Sequence, residues 1–206
     1  MKFKVTAWVL LGFLWGIQAS AHEELEEMDA PVQCKRASLS EIEEVKSGNQ
    51  KYSAFIEQCK THNIDQKWCE QLTHPNQNEI SKFKCTYGNE FEHRLIHPDE
   101  STWENAFRAA KIVQRLITEQ IKVVEIYNWW RPEVYNRNVG GSPLRHPHGV
   151  SVDIRMSSVS EMEKAHKKLC EWRKKGEIRA VGYYGSTGLH VGVADEWANT
   201  WGKPCK

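Results

Sequence analysis

The chain is short of net charge, of long apolar runs and of paired cysteine motifs, and each shortage removes a class of function. Lys and Arg number 28 against 27 Asp and Glu in 206 residues, so no basic excess exists to hold nucleic acid or an anionic membrane. The longest apolar run, Val5 to Ile17, covers about 13 residues where a membrane-spanning helix needs roughly 20. No C-x-x-C pair occurs among Cys34, Cys59, Cys69, Cys85, Cys170 and Cys205, and their irregular spacing speaks against a zinc–cysteine module. Repeats and low-complexity tracts are missing too. What is present, 40% hydrophobic and 27% charged residues, has the balance of one globular domain with a small extension.

Residues 1–21 read as a secretory signal peptide. Lys2 and Lys4 precede the apolar run, and Ala19-Ser20-Ala21 offers a small-residue cleavage site. Its removal leaves 26 basic against 27 acidic residues, no membrane attachment, and six cysteines in a periplasmic or extracellular space where disulfides persist. Up to three bridges are expected, and the spacing does not choose their pairing. The expected division is a signal peptide at 1–21, a cysteine-rich extension at 22–98 and a main domain at 99–206. The extension opens with an acidic stretch, HEELEEMDA, that reads as a solvated lead-in. Short helical patterns come next (Leu39, Ile42, Val45; Tyr52, Phe55, Ile56), and residues 81–98 read as a hairpin turning at Gly88-Asn89. No chemistry is legible in this segment, which could instead cover a site or dock to another envelope protein. His93 and His97 read as surface or structural.

From Ser101 the pattern sharpens. Ser101 and Glu104 form a capping box before an apolar stripe, Trp103, Phe107, Ala110, Val113 and Ile117, which predicts a helix to about Gln120. A β-rich run, Ile121 to Tyr127, ends near Pro132. Residues 149–155 alternate Val150, Val152 and Ile154 against Ser151, Asp153 and Arg155, so Asp153 faces away from the apolar side. A second capping box, Ser158 and Glu161, opens a helix with Met162, Ala165, Leu169 and Trp172 inward, closed by Gly176. Two strands then flank Gly185-Ser186-Thr187, and in the second His190 and Gly192 share the face opposite Leu189, Val191 and Val193. The class is α+β: a small antiparallel sheet with helices on one face and a polar face open for a site.

Catalytic zinc usually has three protein ligands drawn from His, Asp, Glu and Cys, with a fourth position for water. His146, Asp153 and His190 meet that count, and the first sits in a turn just before the strand of the second. From residue types alone, an aspartate in a strand that pairs with Arg155 is an equally simple reading. Trp129, Trp130, Trp197 and Trp201 could stack on sugars, although core packing is the commoner use of tryptophan.

The wording around these residues resembles a known family. Trp130-Arg131-Pro132, Tyr135-Asn136, Val139-Gly140-Gly141, then His146-x-x-Gly149-x-Ser151-Val152-Asp153-Ile154, then Gly182-Tyr183-Tyr184 and Gly188-Leu189-His190-Val191 are similar to D-alanyl-D-alanine carboxypeptidase-like zinc peptidases. That group is related to vancomycin-resistance dipeptidases and periplasmic murein endopeptidases. The resemblance covers roughly residues 100–202. It implies that His146, Asp153 and His190 hold Zn²⁺, that Arg131 binds or polarises the scissile carbonyl or a carboxylate beside it, and that the substrate is a peptidoglycan stem peptide. Departures stand beside it. Relatives place a general base two or three residues before the last ligand, or an Asp two after it. Those positions here are Thr187, Gly188 and Gly192, none able to accept a proton. The serine two before the first ligand is Leu144. His148, Glu177, Asp195 and Glu196 are substitutes that lie at no family position. Two readings result: an exported zinc-dependent DD-endopeptidase or DD-carboxypeptidase, or a relative that binds zinc or peptidoglycan without hydrolysis.

Overall fold

The computed structural model describes residues 33–195 and 199–206. The expected signal peptide, the acidic stretch HEELEEMDA, Glu196 and Trp197 lie outside the described residues. Among those described, no helix is long and apolar enough to cross a membrane.

Residues 33–98 hold four α-helices: α1 (Leu39–Gln50), α2 (Tyr52–Thr61), α3 (Gln66–Gln71) and α4 (Ile80–Tyr87). Ser38 caps α1 in a full capping box with Glu41. Of its apolar pattern Val45 is buried, while Leu39 is 82% exposed. The hairpin expected around Gly88-Asn89 is instead helix α4 ending at Gly88. Phe83 and Tyr87 lie one turn apart, share a face and are both buried, a helical period that overrides the turn signal of the glycine. Phe55 of α2 packs against Trp103, Phe107 and Trp129, so residues 33–98 share one core with residues 99–206.

Helix α5 (Trp103–Thr118) buries the expected stripe except Ile117, which is 41% exposed. Its entry differs from the expected Ser101 box: Asp99 accepts the Ser101 N–H and starts a 3-10 turn at Glu100–Thr102. Strand β1 (Val123–Asn128), helix α6 (Glu133–Asn138) and strand β2 (Ser151–Met156) come next. Helix α7 (Val159–Lys174) is capped by Ser158, with Met162, Ala165, Leu169 and Trp172 buried, and Gly176 lies beyond its end at φ +76°. The Glu161 carboxylate, however, accepts from the Lys122 backbone instead of closing the box.

Strands β3 (Ala180–Tyr183), β4 (Gly188–Gly192) and β5 (Thr200–Trp201) complete a five-stranded sheet of order β1-β2-β4-β3-β5. It is mixed, a correction to the all-antiparallel expectation. The chain leaving β4 crosses to the outer edge of β3 and joins it in parallel, pairing Val181 with Thr200. Val152, Ile154, Leu189 and Val191 bury completely on the face that α5 and α7 cover. Three disulfides pin the periphery: Cys34–Cys85 ties the residues just before α1 to α4, Cys59–Cys69 joins α2 to α3, and Cys170–Cys205 fastens the segment after β5 to α7.

Candidate metal centre

Sheet register builds the site. Antiparallel pairing sets Asp153 of β2 opposite His190 of β4 and Asn128 of β1 opposite Asp153. Alternation sends the neighbours of these residues into the core and leaves the three polar side chains on the other face. His146 arrives from a 3-10 turn, His146–His148, that Gly149 closes at φ +63°. That turn is fastened from β1's end, since the Trp129 indole donates to the Gly149 carbonyl and the Arg131 backbone N–H to that of His146.

The three expected ligands meet. His146 Nε2 lies 3.2 Å from Asp153 Oδ2, His190 Nδ1 lies 2.9 Å from Asp153 Oδ1, and one ligand atom from each falls within 4.8 Å of the others. Ligands about 2.1 Å from a tetrahedral ion stand roughly 3.4 Å apart, so small rotations open this cluster around a metal. The His146 Nδ1–H donates to the Trp129 carbonyl at 2.7 Å, which fixes the tautomer and turns the Nε2 lone pair toward Asp153. All three residues are at most 3% exposed, and His146 Nε2 has no hydrogen-bond partner. A buried, unpartnered imidazole nitrogen beside a carboxylate is costly unless something else binds it, and a divalent cation would satisfy both groups.

Burial and the three side chains' mutual charges set their proton affinities. Burial drives the His146 pKa down to about 4 against the pull of Asp153, so its lone pair is free at neutral pH. Burial alone would raise Asp153, but His146 and His190 hold it well below the usual carboxylate range. Burial also opposes charge on His190, yet Asp153 and Asp195 outweigh it and raise its pKa. Asn128 and the Tyr184 hydroxyl donate to the two Asp153 oxygens at 3.3 and 3.0 Å.

The cluster opens onto a cavity of about 650 Å³. Arg131 lines it, 6% exposed, with Nη2 3.8 Å from Asp153 Oδ2 and Nε unpartnered, which rules out the surface ion pair as its role. Trp201 lines it as well, with the Arg145 guanidinium over its ring and the His190 ring packed against it at a tilt. That placement needs Gly182, because a Cβ there would come within 2.2 Å of the indole. Trp129 and Trp130 belong to the core instead.

Gly192 has a different neighbour. A Cβ on it would stand 2.5 Å from Cγ of Asp195, whose carboxylate fills the space beside the His190 ring. Asp195 Oδ2 lies 3.8 Å from His190 Nε2 and 3.7 Å from Arg145 Nε. A carboxylate behind a ligating imidazole orients the ring and raises its basicity. Asp195→Asn, which keeps the shape and removes the charge, is expected to weaken metal binding about 10- to 100-fold. Competition with a chromophoric chelator measures this, and an unchanged affinity would refute the supporting role.

The remaining substitutes are elsewhere. His148 is exposed, and Glu177 is an exposed partner of Arg115. A second cluster, His166 with Cys170 and Cys205, offers only an imidazole, because its two sulfurs are bonded to each other. Sequence reasoning missed a part of the cavity lining, Asn76, Asn78 and Glu79 from the segment before α4. Asn76 accepts the Asn78 N–H, and the Tyr135 hydroxyl lies 3.5 Å from Glu79 Oε2. Burial raises the Glu79 pKa above its ordinary value, with Arg131 opposing. No family model matches the chain, and no curated protein or solved structure matches it either.

Proposed function

We propose that the chain is an exported zinc-dependent peptidase that hydrolyses peptide bonds of peptidoglycan stem peptides, in the DD-endopeptidase or DD-carboxypeptidase manner. The observation that carries this reading is the buried His146, Asp153 and His190 cluster, with His146 Nε2 unpartnered beside the Asp153 carboxylate, lining a cavity that also holds a buried Arg131. Two imidazoles and one carboxylate with an open fourth side suit zinc better than calcium or magnesium, which prefer all-oxygen sites. Zinc in such a set supplies a Lewis acid and lowers the pKa of water toward about 7. His146 and His190 would hold it through Nε2 and Nδ1, with Asp153 neutralising part of its charge. Arg131 presents a planar fork of donors to the carbonyl oxygen as that oxygen gains negative charge. Three disulfides fit an oxidising, extracytoplasmic setting. The cell-wall substrate rests on the motif resemblance.

A non-hydrolytic relative is the second reading, favoured by Thr187, Gly188 and Gly192 standing where relatives carry a base. One preparation of the mature protein separates the two. Zinc near one equivalent together with cleavage of muropeptides at a D-alanyl bond is the expected result. Zinc without cleavage of DD- or LD-linked muropeptides would favour the second reading, and absence of bound metal would undo the site assignment itself.

A further inference from the structure

Hydrolysis at this site needs a group that accepts a proton from water, and few groups along the cavity can do so. Arg131, Arg145 and Arg155 have no acceptor. His146, Asp153 and His190 form the ligand set. The hydroxyls of Tyr127 and Tyr184 are held protonated, burial raising both. Asp195 sits behind the His190 ring, 4% exposed, between His190 and Arg145, and does not line the cavity. Among the described residues of the wall, this leaves Glu79 as the one carboxylate outside the ligand set.

Resting on the peptidase reading, we propose that Glu79, brought to the cavity wall by the N-terminal segment, is the proton acceptor of the reaction. Its place is built. The 3-10 turn Gln77–Glu79 is capped by Asn76 and runs into α4, which Cys34–Cys85 anchors. Tyr135 of α6 packs edge-on against Phe83 of α4 and brings its hydroxyl to the Glu79 carboxylate. The groups that act on Glu79 are Arg131 and Asp153 at the site, together with Asn76 and Tyr135 at its side. Burial, reinforced by Asp153, moves its proton affinity up from the ordinary 4.5 against the opposing pull of Arg131, Asn76 and Tyr135, toward the range where a general base works best.

In the step, a water O–H bond breaks and its proton passes to a Glu79 carboxylate oxygen while the water oxygen bonds to the peptide carbonyl carbon and the C=O π pair moves onto the carbonyl oxygen, to return when the leaving nitrogen departs. The C–N bond then breaks as Glu79 returns that proton to the leaving nitrogen, and the acid product releases its remaining proton to the amine. Glu79 ends ionised as it began, and no further reactant is required.

The test uses the full mature chain loaded with zinc, as wild type, Glu79→Gln and Glu79→Asp, on a D-alanyl muropeptide. Glu79→Gln is expected to lower kcat about 10²- to 10⁴-fold with KM little changed. Zinc affinity by chelator competition stays at the wild-type value. The acid limb of the wild-type kcat/KM profile lies above 4.5 and disappears in the residual activity of Glu79→Gln, while Glu79→Asp recovers part of the rate. The melting temperature at pH 7 holds or rises, because glutamine does not bury a charge; a residue that merely braced Asn76 and Tyr135 would lower it when replaced. Wild-type kcat in Glu79→Gln, a change confined to KM as an ammonium anchor would give, or lost zinc with a lowered melting temperature would each overturn the assignment and leave the peptidase reading standing. A wild type that turns over no muropeptide would overturn both.

Discussion

His190→Ala is expected to strip the protein of metal and of all measurable hydrolysis. Binding free energies of about 10–16 kcal/mol are typical of closed zinc sites, and one ligand of three or four carries on the order of a third of that. Losing it corresponds to about 10²- to 10⁴-fold weaker binding, enough to empty the site under dialysis. The fold should survive, because Leu189 and Val191 keep the core side of β4 and the ladder to β2 and β3 uses only backbone. The alanine does leave a gap beside Trp201, whose ring packs at a tilt against that of His190 with centroids 4.7 Å apart. The comparison is therefore metal content by elemental analysis against near-ultraviolet circular dichroism of the same sample. Full zinc occupancy in a folded variant would refute the ligand assignment.

That Asp153 and His190 both leave the core could be read from alternation in two strands, each with apolar residues at every second position and a potential ligand between them; the pairing of those strands, which brings the two together, could not. The same logic set out α5 and α7, whose stripes repeat at helical spacing and whose buried faces track it closely. Local signals failed where a contact far along the chain decides the outcome. Gly192 reads as a missing group, yet its lack of a side chain is what admits Asp195 behind His190, a relation set by the bend after β4. Gly88-Asn89 carries a turn signature, but burial of Phe83 and Tyr87 on one helix face prevails. Glu79 stands more than 50 residues before Arg131 in a segment with no motif, and only packing of α4 against α6 brings it to the cavity. Nothing local to positions 74–80 could have disclosed it.

Arg131→Met should separate charge stabilisation from metal binding, with zinc retained and kcat lowered about 10²- to 10³-fold, the usual cost of losing one preorganised donor to an oxyanion. Methionine approximates the length of the buried side chain, so packing against the His146 turn is largely kept. Arg131→Lys should fall between the two, because an ammonium restores charge without the planar fork. Removing the guanidinium also changes its neighbours. Arg131 is the cation that holds down the proton affinity of Glu79. Without it the carboxyl keeps its proton to higher pH, and the acid limb of kcat/KM moves upward in Arg131→Met relative to wild type. The folded-state pKa of Glu79 is then raised further above its unfolded value. Its contribution to stability is therefore fully present below the ordinary 4.5 and lost as pH rises through the folded value. An Arg131→Met protein with wild-type kcat would remove the guanidinium from the chemistry. One that loses zinc together with activity would make Arg131 a brace for the metal site. An acid limb that stays in place while kcat falls would uncouple Arg131 from Glu79 and leave charge stabilisation as its one role.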